Sequence, residues 1–263
     1  MSQGSRDIEQ VIRFLRQKKD FGVKEFFFDE LSREEVLSAT AREVVIVDSK
    51  SLESVTSRLT GLSDQENLSI SSLVTDLSGL DYQELKVVAE GCQLCGLSKT
   101  RTNVVFSDGN PRADVMVVGE APGSNEDRTG LPFVGKAGKL LDLLLASVSL
   151  SREDSVYICN VLKCRPPGNR DPMTNEIDFC APYLKRQIAL VAPEAILAVG
   201  TFAAQLLTGN NKSLGELRGS VYSYEDVPLV VTYHPAALLR NPNLKKNAWE
   251  DFKLIKSKYI DAN

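Results

Sequence analysis

Of the 263 residues only one is histidine, one is tryptophan and three are methionine. A single imidazole excludes a two-histidine metal site and a second imidazole base. No stretch reaches the ~18 consecutive apolar residues of a membrane span. The opening MSQGSRDIEQVIRFLRQKKD is charged throughout. It has neither the apolar core of a secretion signal nor an acid-free, arginine-rich transit pattern. There is no G-x-S-x-G, no G-x-x-x-x-G-K-[ST], and no G-x-G-x-x-G after a strand. Five cysteines in a chain without an export pattern read as ligands or buried thiols rather than disulfides. Together these absences predict a cytoplasmic protein.

Hydrophobic residues make up 43% and charged residues 25%, an ordinary globular balance in a chain long enough to bury its own core. The net charge of −4 is unevenly spread. Residues 1–85 hold 10 basic and 16 acidic residues, the remainder 21 and 19. The larger part is therefore mildly basic, which leaves room for a local phosphate-binding face.

Three zones follow one another. Over 5–46, Ile8, Val11, Ile12 and Leu15 fall at helical spacing, and Ser32 with Glu35 forms a capping box. Residues 47–80 are rich in Ser, Thr, Asp and Asn and read as a linker. We therefore divide the chain into an acidic, partly helical extension with its linker, 1–80, and a tightly patterned domain, 81–263.

That domain alternates short apolar runs with helical stretches. Strands are expected at 115–118, 156–159, 195–199 and 229–232, and helices at 137–148, 175–190, 201–207 and 247–259. Such alternation means an α/β layered domain with a mainly parallel sheet. Ligands of such sheets bind beyond the carboxyl ends of the strands. Three of the four strand ends carry polar punctuation: Gly119-Glu120, Asn160 and Tyr233-His234.

Cys92 and Cys95 form a C-x2-C pair, with Cys164 and Cys180 far downstream. Four thiolates suit zinc or an iron–sulfur cluster, and spacing does not choose between them. The competing reading is four buried structural thiols. Cys159, inside an apolar strand, reads as core. GEAPG at 119–123 bends sharply after the first strand, offering backbone N–H groups and one carboxylate, or is simply a turn. Phe133, in PFVGKAG, either stacks on a planar ligand or packs in the core. Asn160 has a donor and an acceptor with which to read a base edge, or caps a turn. His234 ends the fourth strand, where a lone histidine is either catalytic or structural. Lys163, Arg165, Arg170, Arg240 and Asn241 lie on loops near the same edge, as a solvated surface or a phosphate-contacting rim.

Taken together, GEAPGSNEDRTGLPFVGKAG, YICNVLKCRPPGNRDP and TYHPAALLRNP, with the four cysteines, resemble the family 4 uracil-DNA glycosylases. The resemblance spans residues 85–259. It implies a three-layer α/β/α sandwich with a four-stranded, mainly parallel sheet. It further implies a [4Fe-4S] cluster held by Cys92, Cys95, Cys164 and Cys180. Glu120, Ala121 and Pro122 would line the uracil pocket, Phe133 would stack on the base, Asn160 would read its edge and His234 would contact O2. Glu120, Asn160 and His234 would be catalytic, and Arg165, Arg170 and Arg240 would hold DNA phosphates. The implied activity is monofunctional: uracil is flipped out and excised, leaving an abasic site for base excision repair. Glu120 separates the chain from the family 5 enzymes. The absence of histidine between Cys164 and Pro172 separates it from a branch that traps DNA covalently.

The implied protein is a monomer acting on uracil-containing DNA, without membrane contact. Its N-terminal extension goes beyond the compact members and is open to a protein partner. The competing functions are a glycosylase of the same fold for another deaminated base such as hypoxanthine, and a non-cleaving iron–sulfur DNA-binding or redox protein.

Overall fold

The computed structural model describes residues 77–259, and the structural statements below concern these. The helical spacing and capping box expected in 5–46, and the linker up to residue 76, lie outside them.

In chain order the elements are α1 (Tyr82–Glu90), β1 (Asp108–Gly109), β2 (Val115–Gly119), α2 (Ser124–Thr129), α3 (Lys136–Ala146), β3 (Val156–Asn160), α4 (Thr174–Val191), β4 (Ala195–Val199), α5 (Thr201–Thr208), α6 (Leu214–Leu217), β5 (Val221–Tyr224), β6 (Val227–Thr232), α7 (Pro235–Arg240) and α8 (Lys245–Tyr259). Short 3-10 turns occupy Gly96–Lys99, Pro167–Asn169 and Pro242–Leu244. The sheet runs β1-β3-β2-β4-β6-β5. Its four inner strands are parallel and coincide with the four apolar runs expected from sequence.

Those runs are continuous because both faces of the inner strands are covered. Met116, Val118, Tyr157, Cys159, Ile196 and Val231 pack one way, against Leu184 and Ile188 of α4 and Leu207 of α5. Val115, Val117, Ile158, Leu197 and Val230 pack the other way, against Leu141 and Leu145 of α3 and Phe252 and Ile255 of α8. This is the expected α/β/α sandwich.

The sheet has six strands among the described residues rather than four. The two extra strands are antiparallel edges, β1 on β3 and β5 on β6. β1 is only two residues long, too short to leave a pattern. β5 and β6 form a hairpin whose turn residues, Glu225 and Asp226, have positive φ of 48° and 68°. Glycine or asparagine usually marks such a turn, and neither is present. At the other end, Leu77 and Leu80 pack with Leu85, Val88, Phe106 and Tyr183, so the packed domain takes in the last residues of the linker.

Candidate functional site

β2, β3 and β6 end at the same edge of the sheet, as parallel register requires. Gly119 stands opposite Asn160 in the β2–β3 pairing. Beyond the strands the chains stay tied: the N–H of Val161 donates to the Gly119 carbonyl at 2.9 Å, and that of Leu162 to the Glu120 carbonyl at 3.0 Å. Glu120 and Asn160 are thus delivered side by side.

Gly119 is glycine because there is no room for more. A Cβ there would stand 2.3 Å from Asn160 Oδ1 and 2.6 Å from Phe133 Cζ. The Asn160 side chain and the Phe133 ring therefore converge on one backbone position. Asn160 is only 2% exposed. Its Oδ1 is buried without a hydrogen-bond partner in the protein. Buried acceptors are rarely left so, and each one calls for a cause.

Phe133 adopts φ 54°, a left-handed conformation unusual for an aromatic residue. Its surroundings hold it there. Arg152, pinned between Asp108 and Asp142, donates to the carbonyls of Pro132 and Phe133, each at 2.9 Å. Glu126 Oε1 accepts the N–H groups of Val134 at 2.9 Å and Gly135 at 3.0 Å. Gly138 allows the Phe133 carbonyl to press against α3, where a Cβ would meet that oxygen at 1.6 Å. Strain maintained by several independent contacts is a mark of functional sites.

The Phe133 ring stacks on His234, with centroids 5.5 Å apart. His234 caps α7, and its Nδ1 accepts the Ala236 N–H at 3.1 Å. That bond assigns the neutral ring's proton to Nε2. Burial, reinforced by the positive charge of Arg240, lowers the His234 pKa to about 4. At neutral pH the ring is therefore an uncharged Nε2–H donor. Burial raises the Glu120 carboxyl above its ordinary value, and the nearby negative charge of Asp171 adds to this. Ala121 is half-buried and Pro122 buried beside it.

The cysteines gather elsewhere. Cys92, Cys95, Cys164 and Cys180 line one cavity with Arg101, Lys163, Phe179 and Tyr183. The C-x2-C pair lies in the turn after α1, Cys164 follows β3 and Cys180 sits in α4. Burial raises the thiols of Cys95 and Cys164, and that of Cys180 to about 12. Arg101 Nη1 points at Cys164 Sγ at 3.3 Å. The Tyr183 hydroxyl is buried without a hydrogen-bond partner. Among the described residues no three His, Cys, Asp or Glu side chains converge as around a single metal ion. Cys159 is core, as expected.

The basic residues divide. Arg240 is exposed at the end of α7. Arg165 Nε donates to Asn169 Oδ1 at 2.7 Å, and Arg170 forms a two-pronged pair with Glu176 at 2.6 and 2.9 Å. Lys163 leaves the rim altogether: it is 2% exposed and points inward. Sequence reading also passed over Glu126, Arg152 and Asp171. A carboxylate in a glycine-rich loop and an arginine after a helix carry no distinctive spacing, and their roles arise from contacts distant along the chain.

The family model described as "Uracil DNA glycosylase superfamily" matches residues 106–253, more than half of the chain. A type-4 uracil-DNA glycosylase of Sulfurisphaera tokodaii is 44% identical over 182 residues, covering 66% of this chain and 83% of the relative. One from Archaeoglobus fulgidus is 47% identical over 172 residues, covering 62% and 86%. A type-5 uracil-DNA glycosylase of Pyrobaculum aerophilum is 34% identical over 149 residues, covering 49% and 64%.

Proposed function

Since the chain belongs to the uracil-DNA glycosylase superfamily, and within it to the type-4 enzymes, we propose that its uracil excision from DNA is carried out by Glu120, Asn160 and His234. The observation that carries this is the buried, unpartnered Oδ1 of Asn160 beside the Phe133 ring. Uracil presents N3–H to such an acceptor, and its O4 accepts from the amide nitrogen. Cytosine reverses both positions, so the same carboxamide rejects it.

The glycosidic bond is inaccessible within stacked DNA, so the nucleotide is first flipped out, at a cost of a few kcal/mol that is least at a mismatch. Phe133 and the Ala121-Pro122 turn then hold the base. Cleavage of C1′–N1 leaves negative charge on uracil and positive charge on the sugar. His234 donates from Nε2 to O2, a preorganised donor aimed at developing charge. A neutral imidazole suits this task because it keeps its proton over the working pH range. Glu120 activates the attacking water, and its charge favours the sugar cation. Water then completes hydrolysis, leaving an abasic site. Arg165, Arg170 and Arg240 contact the flanking phosphates, with affinity that falls as salt rises.

The four cysteines fit a [4Fe-4S] cluster. All four line one cavity, and Arg101 and the Tyr183 hydroxyl are donors that thiolates would accept. When bound, the group supplies four iron–thiolate bonds that tie the turn after α1 to the loop after β3 and to α4. That loop carries Asp171 toward Glu120, so the role is structural. No helix among the described residues is long and apolar enough to cross a membrane. We take the protein to act as a cytoplasmic monomer whose glycosylase domain includes Leu77 and Leu80.

Single-turnover release of uracil from a labelled oligonucleotide tests the assignment. Asn160→Ala and His234→Asn should each lower the rate about 100-fold or more. Wild-type rates in both variants would overturn it.

A further inference from the structure

The buried ammonium of Lys163 ends between two partners. Its Nζ donates to the main-chain carbonyl of Asn160 at 2.6 Å and to Gln187 Oε1 at 2.5 Å. Gln187 lies in the C-terminal third of α4 and is itself fully buried. Its Nε2 donates onward to the Phe106 carbonyl at 3.1 Å and to the Tyr157 hydroxyl at 2.8 Å. The main-chain carbonyl of Lys163 accepts the Val105 N–H at 2.8 Å. Lys163 is therefore fixed at both ends, and its side chain folds back over the three-residue turn that leaves β3.

A buried lysine is costly unless its donors are matched. Here one donor is placed on the carbonyl of the residue proposed to read the base. The turn from Asn160 to Lys163 also carries the Val161 and Leu162 N–H groups that bind the Gly119 and Glu120 carbonyls. Rotation of the Asn160 peptide would thus move the Asn160 carboxamide relative to Gly119 and Phe133, at a corner with no room for a Cβ on Gly119.

We infer that Lys163 is a positioning residue for uracil excision: by holding the Asn160 carbonyl against Gln187 it sets the orientation in which the Asn160 carboxamide meets the base. This rests on Asn160 being the base reader. Lys163 touches neither substrate nor reacting atoms and acts only through Asn160.

A double-mutant cycle on the full-length protein tests it, with single-turnover rate and DNA affinity measured separately on a single-uracil oligonucleotide. Lys163→Met should lower the rate about 30-fold and change DNA affinity less than about threefold. In an Asn160→Ala background the same substitution should cost less than about threefold, because the residue it positions is gone. Equal losses in both backgrounds would overturn the proposal, since they would show Lys163 acting on general stability or on the neighbouring cysteine site. If Lys163→Met does not fold, Gln187→Met takes its place, removing the lysine's other anchor away from the cysteines. A loss that disappears with Asn160→Ala supports the proposal, and an additive loss overturns it. The two readings fail separately. A wild-type protein inactive on uracil, or an Asn160→Ala variant as fast as wild type, contradicts the proposed function. An additive cycle between an active wild type and an impaired Asn160→Ala contradicts only the role of Lys163.

Discussion

Phe133 and His234 lie ring against ring, their planes 28° apart, although one precedes α3 and the other follows β6. Neither is held by the other alone. Phe133 is fixed through its main chain by Arg152 and by its close approach to Gly138, and His234 by the Ala236 N–H. The site's two rings thus arrive already oriented, as preorganised catalysis requires.

Gly119→Ala tests how tightly the base-reading corner is built. The added methyl would enter space used by Asn160 Oδ1 and the Phe133 ring edge, so both side chains must shift. Uracil release should fall about 100-fold, as for other misplaced catalytic groups. DNA affinity measured by fluorescence anisotropy should change only a few-fold. Unimpaired release would mean that neither side chain need sit where it does.

The pH dependence should separate His234 from Glu120. With its pKa lowered to about 4, His234 stays neutral across the ordinary histidine range, so the rate should show no inflection near 6.5. Glu120, raised by burial and by Asp171, should instead set an acid limb above the usual carboxylate value, with activity lost as pH falls through it. Glu120→Gln should lower the rate and abolish that limb. Stability follows the same logic. Between 6.5 and about 4 the unfolded chain binds a proton at His234 that the folded one does not, so this contribution is lost as pH falls through that window. Urea unfolding of His234→Asn should show a weaker acid dependence there.

Cys164→Ser should act on the cysteine site before it acts on chemistry. Iron content and visible absorption should fall, and the melting temperature should drop by several degrees, since about 1 kcal/mol shifts a domain of this size by roughly 2–4 °C. Iron loading and melting identical to wild type would remove Cys164 from the ligand set.

What could be read from sequence and what could not divides along physical lines. The inner strands were legible because burial on both faces makes them apolar throughout. The edge strand β5 was not, because it is only four residues long and its turn into β6 is Glu225-Asp226, with neither glycine nor asparagine to mark it. Glu120, Asn160 and His234 stood out because polar residues at the ends of buried strands have few other reasons to be there. Lys163 did not. Beside Arg165 and a run of prolines it looks like a surface cation, and only α4, carrying Gln187 across the sheet, makes it an interior one. Glu126 was hidden in the same way, its role fixed by the N–H groups of Val134 and Gly135.

The most direct test of the whole account is base release from a duplex with one labelled uracil, in EDTA and followed by alkali, beside a matched thymine strand. Scission is expected at uracil alone, unaffected by the chelator and dependent on the alkali step. An intact strand from protein that carries its full iron content would contradict it.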